Sequence, residues 1–507
     1  MNHEESIQEL YKLQGRLSAY EHAVSLMYYD GVTTAPKGTA SNRAHSTGIL
    51  TEEMYRISTS SETMELLEAL DQEYRDREVT DDPEETKIRR MIYLMLKDIR
   101  DMQKIPMEEF VAYQELLVKS EDVWHTAKET SDFALFAPYL EEIFRTVRKF
   151  AGYCAPDKNV YDYWLNEYEP GISMAVCDEF FRTLKSRLVP LIREIQERPQ
   201  VDDSFLHGYF PVEQQDQLSR YLMDLIRLDR DHCGLSTTEH PFTTSLGSHL
   251  DERITTNYKT DYFAASMYSV IHEGGHALYD TGSDEAFAYT VLDGGVSMGI
   301  HESQSRFYEN IIGRSRGFTS HILPKIRELF PESMSNVTEE QFYKAINLAQ
   351  PSLIRTEADE VTYCLHVMIR YELEKLLLAG DLSVKDLPSE WNRKYKEYLG
   401  IEVPDDRHGV LQDSHWSGGL IGYFPSYALG NAYGAQFLKK MKETVDVDRC
   451  VQNGDLAPVN EWNRTHIWQY GSLYTPAQIL ERALKEPFDP AIYMDYLEKK
   501  YREIYGI

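Results

Sequence analysis

The sequence predicts a mainly α protein: a single large helical domain with a long active-site cleft and a small β element preceding an H-E-x-x-H helix. Three observations point there. Apolar residues recur at helical spacing over most of the chain. The period changes only once, across residues 235–260, where Thr, β-branched and aromatic residues gather. No internal repeat, low-complexity tract or long linker divides the 507 residues. Length alone permits two to four domains, but pattern favours one. The expected parts are a helical segment 1–234, short strands within 235–260, and a helical segment 261–507.

Residues 4–28 open amphipathically, with Ile7, Leu10, Tyr11, Leu17 and Tyr20 near helical spacing, and a turn-rich stretch at 30–38 ends that element. The charge-rich segment 71–87 reads as a solvated turn. The clearest helix start is Asp82-Pro83-Glu84-Glu85, where an N-cap acid, Pro at N1 and Glu at N3 make a capping box. Ile88, Ile92, Met95, Ile99 and Met102 continue it as a stripe. Further helices are expected at about 107–128, 135–151, 175–196 and 212–230. The stretches 240–247 and 251–258 read as two strands. An edge strand there can pair with an extended peptide backbone. Beyond residue 258 helices are expected over 262–281, then at about 300–316, 339–349, 353–379, 387–399, 423–442, 459–470, 476–486 and 488–504.

Composition excludes several functions. The chain holds 53 Lys and Arg against 83 Asp and Glu, a formal charge of −30. Such a surface repels phosphate backbones and anionic lipid, so neither nucleic acid nor membrane is an expected partner. No apolar run approaches the roughly 18 residues of a membrane span. The first ten residues are polar and acidic, unlike a signal peptide. Cys154, Cys177, Cys233, Cys364 and Cys450 are scattered and form no C-x-x-C pair. Thiolate metal sites and a disulfide framework are therefore not expected, and reduced thiols in a cytoplasmic protein are.

The chemistry gathers at Ser269-Val-Ile-His272-Glu273-Gly-Gly-His276-Ala-Leu-Tyr-Asp280. On a helix, His272 and His276 lie one turn apart on one face, with Glu273 beside them. Two imidazoles can then hold a divalent ion while the carboxylate acts on water. Gly274 and Gly275 each cost about 1 kcal/mol against Ala inside a helix, which points to a close approach of backbone or substrate. Asp280, four residues past His276, is placed to accept its second ring N–H. A catalytic site needs a third ligand. Glu302 and His301 compete for that place, because adjacent helical residues point about 100° apart.

Six stretches in order resemble the carboxypeptidase Taq family (M32-type) of zinc metallocarboxypeptidases. They are His240-Pro-Phe, Asp251-x-Arg253-x-Thr255, His272-Glu-Gly-Gly-His276, His301-Glu-Ser-Gln304, Ile354-Arg-Thr-Glu-Ala-Asp-Glu360 and Gly409-Val-Leu-Gln-Asp-Ser-His-Trp416. The resemblance implies a cytoplasmic homodimer that removes C-terminal residues from peptides with broad specificity. It favours Glu302 as the third ligand, with Zn²⁺ as the ion and Co²⁺ or Mn²⁺ as ions the same donors accept. Glu273 would then be the general base. His415, Tyr423 and Tyr427 are candidate donors to the oxyanion, Arg355 and then Arg253 candidate anchors for the terminal carboxylate, and His240 a further substrate residue. The alternative is a zinc oligoendopeptidase of similar fold, since H-E-x-x-H plus Glu does not fix where the peptide is cut.

Overall fold

A computed structural model describes residues 2–77 and 82–507. Its helices in chain order begin with α1 (His3–Thr33), α2 (Ala40–Ser58), α3 (Ser61–Asp76), α4 (Pro83–Lys104), α5 (Met107–Thr130) and α6 (Phe133–Cys154). Next come α7 (Val160–Tyr168), α8 (Met174–Gln196) and α9 (Val212–Leu225), then strands β1 (Cys233–Thr237), β2 (Thr243–Ser245) and β3 (Glu252–Thr256). The second half holds α10 (Phe263–Thr281), α11 (Met298–Arg306), α12 (Arg316–Leu329), α13 (Pro331–Met334), α14 (Glu339–Ile346) and α15 (Tyr363–Ala379). It closes with α16 (Leu387–Leu399), α17 (Pro425–Met441), α18 (Val447–Asn453), α19 (Ala457–His466), α20 (Pro476–Leu484) and α21 (Pro490–Tyr505).

The expected class holds, with local corrections. α1 runs through Asp30 to Thr33, so the turn shrinks to a few residues. Residues 71–76 are helical, not turn: Leu66, Leu67, Leu70 and Tyr74 bury one face of α3, and Arg75 pairs with Asp71 a turn earlier. The rest of that expected turn includes 78–81, which lie outside the described residues. Asp82 caps α4 through the Glu84 N–H with Pro83 at N1. α9 stops at Leu225, short of 230, and Arg227 takes φ 64° in the turn that follows. The helix expected over 300–316 is α11 continued by a π-helical turn, Phe307–Ile312. The one expected at 353–379 begins only at Tyr363, after a 3₁₀ turn at Arg355–Glu357.

The sheet has three strands in the order β1-β3-β2, with β1 parallel and β2 antiparallel to β3. β1 was not among the expected strands. It is a short run ending in Ser and Thr that pairs with β3 across an intervening hairpin. β2 is an edge strand lying beside α10.

One large core joins α5 through α21 with β1 and β3, and a smaller cluster unites α1, α3 and α4 with Phe287 and Leu292. At the centre α11 is clamped between α10 and α17 by missing side chains. A Cβ on Gly275 would come 2.7 Å from Ser305 Cα, and one on Gly430 would come 2.7 Å from Glu302 Cβ. The glycine inside H-E-G-G-H therefore admits backbone. All five cysteines are free, and among the described residues no helix is long and apolar enough to cross a membrane.

Candidate metal centre

α10 is buried except for Ala265, Ser269, His272, His276 and Thr281. The first four fall on one helical stripe, so a single face of an otherwise interior helix stays open. Ala265, Ser269 and His272 line a cavity of about 690 Å³ together with Glu273, Glu302, Arg306, Arg355 and Tyr427.

His272, His276 and Glu302 each offer a donor atom to one point, all within 4.8 Å of one another. Glu302 Oε2 lies 3.9 Å from His272 Nε2 and 3.6 Å from His276 Nε2. The remaining polar atom of each is engaged. His272 Nδ1 meets Glu309 Oε2 at 2.8 Å, His276 Nδ1 meets His301 Nδ1 at 2.8 Å, and Arg306 Nε donates to Glu302 Oε1 at 2.6 Å. Two imidazoles and a carboxylate so oriented fit a divalent ion of the His₂Glu type.

His301 stands behind His276 instead of facing that point, as one residue of helical offset from Glu302 requires. This also corrects the place of Asp280. Its Oδ1 bonds His301 Nε2 at 3.0 Å, because the His301 ring fills the space between Asp280 and His276. The ring fits because residue 295 is glycine; a Cβ there would come 2.4 Å from His301 Cδ2.

Glu273 is buried, with Oε2 accepting from Thr243 Oγ1 of β2 at 2.7 Å. Burial pushes its carboxyl up, and the His272 ring and the Thr243 bond pull it back only partly. Glu309 goes the other way: Arg306, His272 and Arg314 overcome burial and hold it well below the usual carboxylate range.

A second cluster forms the wall. Arg355 is buried, and its Nε and Nη2 reach Asp413 Oδ1 at 3.0 and 2.9 Å. The Arg370 guanidinium takes Asp413 Oδ2, with Nε at 2.7 Å. Two arginines share one aspartate, which leaves a positive charge unmatched within the cluster. Of the acids in the same stretch, Asp359 caps the turn before α15 and Glu360 binds Lys500 and two tyrosines, while Glu357 is exposed on the cavity lining.

His415 Nε2 lies 3.1 Å from Tyr427 Oη, with the ring stacked on Phe424. Burial brings the His415 pKa down to about 4, so the ring is neutral. Its Nδ1 is buried without a partner, which favours the proton on Nε2 donating to Tyr427 and leaves the phenol hydrogen for another acceptor. Tyr423 packs near the same ring, its hydroxyl 3.7 Å from Met298 Sδ.

The other expected residues lie apart. Arg253 pairs with Asp251 at 2.6 Å, lies over Gly234 of β1 and does not line the cavity. Its place follows from the pleat, since Arg253 is in register with Thr244 and shares that face of the sheet, opposite Thr243. His240 is exposed, and its neighbour Pro241 lines the cavity in its stead.

Sequence reasoning missed Glu309, Arg306, Thr243, Asp413 and Arg370. A signal existed for two: Glu302, Arg306 and Glu309 fall at i, i+4 and i+7, a charged stripe facing the histidine pair. The others come from distant segments, which no local spacing reveals.

A family model for carboxypeptidase Taq (M32) metallopeptidases matches residues 9–501. The chain is 40% identical over 501 residues to "Carboxypeptidase 1" of Bacillus subtilis, covering 98% of each sequence. An M32 carboxypeptidase structure from Deinococcus radiodurans superposes with TM-score 0.95 at 34% identity, over 99% of this chain and all of that one. Trypanosoma cruzi metallocarboxypeptidase 1 gives 0.91 at 33%, over 98% and 99%.

Proposed function

Because the chain belongs to the carboxypeptidase Taq (M32) family of metallopeptidases and is a metallocarboxypeptidase, we propose that it hydrolyses the last peptide bond of peptides with broad specificity, using Glu273 as general base. The observation that carries this reading is the gathering of His272, His276 and Glu302 around one point beside a cavity that His272, Glu302, the buried Glu273 and the under-compensated Arg355 line.

The donor set His272, His276 and Glu302 is proposed to hold one divalent ion, Zn²⁺ by the family resemblance, with Co²⁺ or Mn²⁺ able to replace it. When bound, the ion supplies Lewis acidity toward the scissile carbonyl and lowers the pKa of water. Glu273, steered by Thr243, takes the proton of the attacking water and returns it to the leaving amine. Tyr427, held by His415, donates to the carbonyl oxygen as negative charge develops there. Arg355 offers the substrate's terminal carboxylate a guanidinium whose Asp413 partner is shared with Arg370. The open edge of β2 takes the main chain of the upstream residues. The relatives' carboxypeptidase names favour terminal over internal cleavage.

The proposal extends to a cytoplasmic homodimer, on the same resemblance. Digestion of one peptide with a free and with an amidated C-terminus tests the reaction. Release of the terminal residue from the free acid alone is expected. Equal internal cutting of both would overturn the exopeptidase reading.

A further inference from the structure

β2 presents two different faces to anything that pairs with its open edge. Phe242 and Leu246 turn their main chain toward β3: Thr255 N–H donates to Phe242 O at 3.0 Å, and Leu246 N–H donates to Asp251 O at 2.8 Å. By the alternation of an antiparallel ladder, Thr243 and Ser245 direct their N–H and C=O groups away from β3. Side chains alternate as well. Thr243 points at Glu273, and Thr244 points to the opposite face.

On that opposite face Thr244 borders a separate trough of about 810 Å³ between α1 and α2, lined by Val24, Met27, Tyr28, Val32, Ala44 and Gly48. It is held against the strand, since Ser18 Oγ donates to Gly247 O at 2.6 Å and His22 Nδ1 contacts Leu246 O at 2.9 Å. The strand thus links two cavities: Pro241 lines the metal cavity, and Thr244, three residues on, lines the trough. At about 3.3 Å per residue, the two points are roughly 10 Å apart along the strand, within reach of a single extended peptide.

We propose that this trough is a specificity subsite for the second residue upstream of the scissile bond, and that it selects an apolar side chain. The inference rests on the carboxypeptidase reading above. A peptide strand added to β2 keeps the pleat of its neighbour. The residue beside Thr243 shares the face of Glu273 and the metal donors, and the next residue upstream, beside Thr244, turns into the trough. Val24, Met27, Val32, Ala40 and Ala44 give the lining its apolar surface, with the hydroxyls of Ser25, Thr47, Thr51 and Thr244 among them. Its charged member, Arg43, lies against Gly31 and donates through Nη1 to Thr39 Oγ1 at 2.6 Å, and among the described residues no carboxylate pairs with it. Arg253 emerges on the same face, in register with Thr244. A cationic side chain is therefore disfavoured there by like charge.

Peptides that differ only at this second upstream position, with Leu, Gly, Glu or Lys there, test the proposal by kcat/KM for release of the terminal residue. Leu is expected to exceed Gly roughly tenfold, a fraction of what full burial of such a side chain is worth, and Lys is expected to fall at or below Gly. A Cβ at Gly48 meets no atom within 4 Å, so the side chain of Gly48→Leu starts in open space on the trough lining, and the change removes a helix-interior glycine. In that variant the Leu-to-Gly ratio is expected to drop to within about twofold. Equal rates across the four peptides, or an undiminished Leu preference in Gly48→Leu, would overturn the subsite alone. No terminal release from any peptide would overturn the carboxypeptidase reading and the subsite together.

Discussion

α10 and the α1–α2 hairpin are both helical, and they are built to opposite rules. α10 has 19 residues and exposes little beyond the stripe that faces the cavity. α1 has 31 residues and buries only Leu10, Gln14 and Ser18, while α2 buries only Ile57. Leu26, Tyr28, Val32, Ile49 and Tyr55 stand exposed on the hairpin. Interiors pack at crystal-like density and transmit any change in volume, whereas a thinly packed hairpin can yield. The labour is divided: His272 and His276 are fixed on the interior helix, and the thinly packed surface lies above β2.

Substitutions in the floor sharpen that contrast, and the largest effect is expected at Glu273. Glu273→Gln keeps shape and charge-free bulk but cannot accept the proton of water, so kcat should fall at least about 10²-fold with metal content unchanged. Turnover within a few-fold of wild type would assign the base elsewhere. Arg355→Ala comes next. A charge-assisted hydrogen bond is worth about 1.5–3 kcal/mol, so kcat/KM on free-acid peptides should drop roughly 10- to 150-fold and amidated peptides should be little affected. Equal fractional losses on both would make Arg355 a structural partner of Asp413, read from the coupling between enzyme and peptide.

The ligand supports should matter somewhat less. His272 is backed by a carboxylate directly, His276 through the His301 ring to Asp280. Asp280→Asn and Glu309→Gln should each weaken metal affinity roughly 10- to 100-fold in chelator competition. An unchanged affinity in Asp280→Asn would reduce the His301 chain to packing. The smallest effect belongs to the hairpin: Ile49→Ser, at 55% exposure, should shift unfolding free energy by less than about 0.5 kcal/mol in urea titration. A loss several times larger would mean that α2 is covered in solution.

The same contrast governed what could be read beforehand. Helical class, the strand region and the histidine pair were legible because their periods are local: apolar residues every third or fourth position, ligands at i and i+4. α3 was misread because charges crowd its last turn, although its apolar stripe runs to Tyr74. Arg355 could be named but not placed, because its partner Asp413 is 58 residues away. Arg253 was misplaced because only pairing register decides which face of a strand a residue takes. The reason for Gly275 was half visible: a close approach was expected, but that backbone of α11 makes it depends on a packing no sequence period encodes.

That glycine contact has a kinetic consequence. Where backbone meets backbone, no rotamer can hop to change the spacing of α10 and α11, and Glu309, His301 and Arg306 hold the side chains of His272, His276 and Glu302, so the proposed donor set is expected to keep its shape without an ion. In small zinc domains capture of the metal is folding itself, and reloading carries the time of a chain search. Metal loading by this chain is therefore expected as a plain bimolecular encounter, its rate proportional to ion concentration and without a slow ordering phase.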